Sequence, residues 1–69
     1  MININKSLGE SVRKRRKTLG ISQEELADRI GRDPRSIVAI ETGNRNPTLK
    51  TLYKLCRALG IKSSDILPF

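Results

Sequence analysis

Gly20, Gly31, Gly43 and Gly60 punctuate this 69-residue chain, and each follows a stretch whose apolar residues recur at helical spacing. A glycine placed just past such a stretch is the signature of a left-handed C-terminal cap. Ile21 and Ile61 follow two of the four and supply the apolar residue that closes a Schellman-type end. Start signals interlock with these stops. Ser22-Gln23-Glu24-Glu25 reads as a capping box, with Ile21 and Leu26 at the two positions of a hydrophobic staple. Asp33-Pro34 sets an N-cap acid before a first-turn proline, Thr48 follows Pro47 and can cap a fourth helix, and Ser63 or Ser64 can cap a short fifth. The spacing predicts five helices, at about 6–19, 22–30, 33–42, 48–59 and 63–67, with no competing strand pattern. The fold class is therefore all-α, a compact five-helix domain over 6–69 preceded by a frayed tail over 1–5.

The core these helices share must be aliphatic, because Tyr53 and Phe69 are the sole aromatic residues. Leu8, Val12 and Leu19 define an apolar stripe on the first helix; Leu26, Ala27 and Ile30 on the second; Ile37, Ile40 and Val38 on the third. On the fourth, Leu49, Leu52, Cys56 and Leu59 fall at spacings of three, four and three, with Leu55 beside them. Tyr53 is expected to pack, and Cys56 to be a buried, inert thiol. Ile61, Ile66 and Leu67 can close the bottom of the core, and Leu67 with Phe69 leaves some apolar surface at the C-terminus.

Several functions fall away on composition. The chain has no His and one Cys, so it lacks the residues for a Cys/His zinc cluster, a histidine general base or an internal disulfide. No catalytic constellation stands in their place, so an enzyme is discarded, along with any cofactor, metal or small-molecule substrate. MININKS alternates apolar and polar residues, unlike a signal peptide, and the longest apolar run, Ile37 to Ile40, is far short of a bilayer span. A reducing cytosol with no membrane role is the expected setting.

Charge points to a partner instead. Fourteen Lys and Arg against seven Asp and Glu give a net charge of +7, and residues 1–20 alone carry +5. Such an excess selects a polyanion, of which nucleic acid is the commonest in the cytosol. The run Arg13-Lys14-Arg15-Arg16-Lys17 points all round a helix, so it is mostly a solvated face, with Arg13 and Lys17 supplying long-range attraction.

The second and third helices are the informative pair. Only Gly31 and Arg32 lie between Ile30 and Asp33, so two short helices must cross steeply, which is helix-turn-helix geometry. Ala27 has the size this crossing needs, and Ile37 and Ile40 anchor the third helix from beneath. Arg35, Ser36 and Ala39 are left on its outer side. One buried pair also follows from spacing. Arg16 lies four residues from Val12 and three from Leu19, on the apolar stripe, and Glu41 lies four after Ile37, so both lean inward and need each other.

ISQEELADRIG, then RDPRSIVAIETGNRNPTLKTLYKLCRALGI, and the terminal SSDIL together resemble the Cro-type phage-repressor helix-turn-helix proteins, also called xenobiotic-response-element-like regulators, over roughly residues 8–67. The resemblance implies a lambda-repressor-like fold and a sequence-specific transcriptional regulator, a repressor in the first instance, with helix 33–42 in the major groove of double-stranded DNA. It implies that Pro34, Arg35, Ser36 and Ala39 face base edges, Arg35 being the direct reader of guanine; Ala39 can touch only a thymine methyl and Pro34 donates nothing. It implies that Gln23 sits near one phosphate, and that Thr42, Asn44, Arg45 and Asn46 grip a second phosphate stretch. It shows the same Arg16–Glu41 pairing. A homodimer on a palindromic operator is implied as well, in a bacterial, archaeal or phage-encoded protein. The alternatives are the DNA-binding antitoxin of a toxin–antitoxin pair, which needs an extra toxin-gripping segment, and the controller of a restriction-modification system. The end at Pro68-Phe69 suits a whole small regulator or the first domain of a longer repressor.

Overall fold

The computed structural model describes residues 3–66, and among these the chain forms five helices. They are α1 (Ile4–Thr18), α2 (Gln23–Ile30), α3 (Pro34–Glu41), α4 (Leu49–Leu59) and α5 (Ser63–Ile66). Capping chemistry sets their limits. Ser22 and Glu25 close a reciprocal capping box on α2, Asp33 caps α3 with Pro34 in its first turn, and Thr48 caps α4. At each of the four expected glycine stops the chain makes the paired Schellman bonds; after α2 they run from Gly31 N–H to Asp28 C=O and from Arg32 N–H to Ala27 C=O. Gly31 sits at φ 69°, the left-handed backbone that turns α2 into α3 across three residues, the last of them the Asp33 cap.

The first helix starts earlier than the spacing predicts. Asn3 caps it, its side-chain oxygen accepting from Lys6 N–H at 3.1 Å, so Ile4 and Asn5, expected to lie in a frayed tail, are helical. Lys62 N–H donates to the Asp65 carboxylate at the start of α5. Leu67 and Phe69, expected to shape the C-terminal surface, lie outside the described residues.

α1 and α2 both pack on α3, α4 closes the core from the side of α2, and α5 seats Ile66 against α1. Leu8, Val12, Leu26, Ile37, Leu55 and Leu59 are essentially inaccessible to solvent. Three stripes differ from expectation. On α4 the buried line runs Thr51, Leu55 and Leu59, with Cys56 on its flank, whereas Leu49 is 85% exposed and Tyr53 61%. At about 100° per residue, Leu49 stands about 120° round the helix from Leu55. Polar Thr51 heads this buried line, hydrogen-bonded to Thr48 and Arg32. Tyr53, expected to pack, stacks in solvent beneath Arg57. On α1, Leu19 is the exposed C-cap, and Ile21 after the turn is buried in its stead; Val38 on α3 is exposed too.

Gly9, the remaining glycine, is buried mid-helix. A Cβ there would stand 2.3 Å from the Ile40 carbonyl oxygen and 2.7 Å from that of Glu41. α1 therefore meets the last turn of α3 backbone to backbone.

Candidate nucleic-acid interface

The α2–α3 unit is held from behind by a buried charged cluster. Arg16 on α1 donates from Nε to Glu41 Oε2 at 2.7 Å and from Nη2 to Oε1 at 3.1 Å, a two-pronged pair. Its Nη1 donates to the Ile21 carbonyl at 2.9 Å. Gln23, the first residue of α2, completes the set, its Nε2 donating to Glu41 Oε1 at 3.1 Å. Glu41's side chain is only 2% exposed, and no buried side-chain polar atom among the described residues lacks a partner. The hydrogen bond to Glu41, aided by its charge and opposed by burial, holds the Arg16 guanidinium above its ordinary pKa. One carboxylate thus joins α1, α2 and α3, as the expected Arg16–Glu41 pair requires, and it also engages Gln23.

The opposite side of α3 faces solvent. Pro34 and Arg35 are exposed, and Ser36 and Ala39 are half-buried between the anchoring Ile37 and Ile40. Arg35 folds back on the helix cap: its backbone N–H donates to Asp33 Oδ1 at 2.8 Å, its Nε to the same oxygen at 3.2 Å, and its Nη2 to Oδ2 at 3.3 Å. These bonds, the side-chain ones foremost, keep the Asp33 carboxyl below the ordinary carboxylate range and raise Arg35. Arg45, from the loop after α3, reaches back to donate from Nη1 to Ser36 Oγ at 3.2 Å, and Asp33, Arg35, Ser36 and Arg45 line one shallow hollow. A second hollow shares Ser36 and Arg45 and adds Arg32 and Asn46. Arg32, which the sequence suggests only as a turn residue, is fixed by Nη2 donating to Thr51 Oγ1 at 2.8 Å. Three guanidinium groups therefore rim one continuous surface.

The remaining loop residues serve each other. Thr42 Oγ1 donates to the Val38 carbonyl at 2.9 Å, and Asn44 Nδ2 donates to Thr42 Oγ1 at 3.1 Å. Asn44 and Arg45 both donate backbone N–H to the Ala39 carbonyl, which ties the loop to α3. Of the basic run on α1, Arg13, Lys14 and Lys17 are exposed. Arg15 departs from the expected solvated face: its Nε donates at 3.0 Å to the carbonyl of Leu59, the last residue of α4, where the helix supplies no donor of its own.

Among the described residues no group of three or more His, Cys, Asp and Glu could hold a metal ion, and no helix is long and apolar enough to cross a membrane. What this arrangement offers is a rigid helix with a wet, cationic outer side.

The helix-turn-helix family profile matches residues 12–66. An uncharacterised HTH-type transcriptional regulator of Sinorhizobium fredii is 33% identical over 66 residues, covering 96% of this chain and 86% of its own. Another from Methanothermobacter thermautotrophicus is 45% identical over 49 residues, covering 71% of each chain. Among solved structures, the restriction-modification controller protein C.AhdI from Aeromonas hydrophila superposes with a TM-score of 0.85 at 34% identity, covering 88% of this chain and 92% of that one. With the profile spanning most of its length, and with α2 and α3 packed on each other across a short turn in its own structure, the chain belongs to the Cro-type helix-turn-helix family of DNA-binding transcriptional regulators.

Proposed function

We propose that the protein regulates transcription by laying α3 in the major groove of double-stranded DNA, with Arg35 reading a guanine and Gln23 and the loop after α3 holding phosphates. The observation that carries this reading is the two-sidedness of α3: Ile37, Ile40 and Glu41 are buried, while Arg35's side chain is 92% exposed on the other side. A guanidinium matches the O6 and N7 acceptors of guanine, worth about tenfold or more in discrimination. Ser36 and Ala39 lie shallow enough to let the helix approach base edges, and Pro34 adds no donor. Gln23 spends one amide hydrogen on Glu41, and its second is free for a phosphate oxygen at the positive end of α2. Thr42, Asn44, Arg45 and Asn46 offer the second grip, joined by Arg32 across the shared hollow.

The exposed Leu49 and Tyr53 on α4 support a homodimer, which would set two α3 helices about 34 Å apart on a palindromic operator, in the cytoplasm. Sedimentation of the protein with and without operator tests this, and a monomer under both conditions overturns it. The likeness to C.AhdI over most of both chains favours, as a second reading, the controller of a restriction-modification system.

A site selected from a random DNA pool provides the test. Arg35→Ala is expected to lose preference at one base position while keeping affinity for random DNA, and Gln23→Ala to weaken all sequences alike. Equal losses on selected and random DNA for Arg35→Ala would refute the assignment. Affinity should fall steeply with salt as phosphate counterions are released.

A further inference from the structure

We propose that Asp33 is a specificity-determining positioning residue: besides capping α3, its carboxylate clamps the Nε–Nη2 edge of the Arg35 guanidinium and thereby presents the outer, Nη1–Nη2 edge to a single guanine. The inference rests on the reading of Arg35 as a base contact.

The geometry of the clamp is directional. Asp33 Oδ1 accepts from both the backbone N–H and the Nε of Arg35, and Oδ2 accepts from Nη2, so the guanidinium plane is referenced to the first turn of α3 itself. Pro34 between them has no N–H, which leaves Arg35's as the first one α3 offers its cap. The clamp occupies Nε and one hydrogen of Nη2. Both hydrogens of Nη1 and the second of Nη2 remain, and the outer pair of these is the fork that matches guanine O6 and N7. An arginine near a helix start otherwise samples many rotamers, and ordering it on DNA weakens binding to right and wrong bases alike until the fork is formed. A carboxylate that has already fixed the plane favours the base that completes the fork and disfavours those that would need a different tilt.

Both side chains are open to solvent, at 92% for Arg35 and 51% for Asp33, and an exposed pair of this kind adds little to folding. A merely ornamental surface pair and a clamp differ in what they do to base choice. Asp33 also brings a negative charge toward phosphates, so removing that charge should raise affinity for DNA of any sequence. Loss of preference at one position alongside equal or higher general affinity is therefore a signature that damage to the helix cannot produce.

The experiment uses the whole chain and the site selected from random DNA, with every base substituted singly. Arg35→Ala identifies the position that Arg35 reads. Asp33→Asn and Asp33→Ser both retain a good N-cap while removing the two-oxygen clamp. Each is expected to reduce the guanine preference at that same position by about threefold or more, a part of the bidentate discrimination, with binding to random DNA unchanged or tighter. If Arg35→Ala abolishes the preference and both Asp33 variants keep it, the clamp is refuted and the base contact stands. If Arg35→Ala affects no single position, the base contact is refuted and the clamp with it. Preference reduced evenly at all positions, with weaker binding to random DNA, marks Asp33 as a cap alone and also overturns the proposal.

Discussion

Replacing Gly9 with alanine sets two effects of opposite sign against each other. Gly9 lies within α1, where alanine is favoured over glycine by about 1 kcal/mol. On helix propensity alone the variant should be more stable. Against this, the new Cβ would stand 2.3 Å from the Ile40 carbonyl oxygen, 2.7 Å from the Glu41 oxygen and 2.9 Å from the Glu41 carbonyl carbon. Carbon and oxygen settle at about 3.3 Å or more, so α1 must retreat from α3 by about 1 Å. Every obstacle is backbone, and no rotamer change relieves it. A gap of this size forfeits about a quarter to a half of the dispersion attraction across the contact, and overpacking of a core typically costs about 1–3 kcal/mol, with more where the surroundings cannot yield. Taking about 2–4 kcal/mol for the separation and subtracting the propensity gain leaves a net loss of about 1–3 kcal/mol, or a melting temperature lower by about 10 °C in a domain of this size. Urea unfolding followed by circular dichroism measures it directly, and Gly9→Val should lose more. A Gly9→Ala protein as stable as the parent, or more so, would refute the backbone contact between α1 and α3.

The other expectations concern charge and the thiol. Arg16→Met should cost about 3–5 kcal/mol in urea, enough to bring so small a domain near unfolding, because Glu41 would keep its burial and lose its cation. Arg16→Met with Glu41→Met should recover much of that loss, and strictly additive losses would refute the pairing. Asp33's carboxyl is depressed in the folded chain, so its contribution is complete above the ordinary carboxylate pKa and fades as pH falls through the lower folded value. The gap in melting temperature between the parent and Asp33→Asn should accordingly close below about pH 4, and a gap that widens there would contradict the assigned bonds. Cys56 is buried and its thiol is pushed up first by that burial and then by the charge of Asp65. A disulfide reagent should modify the folded protein at least about tenfold more slowly than the denatured one, and equal rates would show the site to be open.

Helix ends and the hinge are legible in the sequence because their causes are local. Ser22 with Glu25, Asp33 with Pro34, and Thr48 each carry their cap in neighbouring residues. Asn3 has no such company, and α1 begins before its spacing suggests. The Arg16–Glu41 pair is legible too, since each charge falls on an apolar stripe. What depends on contacts between distant segments is not. Gly9 within a helix reads as a weak point until the carbonyls of Ile40 and Glu41 are seen against it. Leu49 fits a heptad-like count, yet Thr51 is the residue turned inward, because Arg32 and Thr48 satisfy its hydroxyl. Arg15 and Arg32 look like loose surface charge, and only the fold brings Leu59 and Thr51 within their reach. The Asp33–Arg35 clamp escapes helical-wheel reasoning for another reason: residues two apart on a helix do not meet, but Asp33 stands outside the helix it caps.

Because Ile37, Ile40 and Glu41 carry the attachment of α3, its outward positions are spare as far as folding is concerned. If α3 reads DNA as proposed, a lineage could rewrite the letters at Arg35, Ser36 and Ala39, and so wander from one promoter to another, at little expense to the scaffold. Asp33 would be the exception, a residue where frame and message share a single carboxylate.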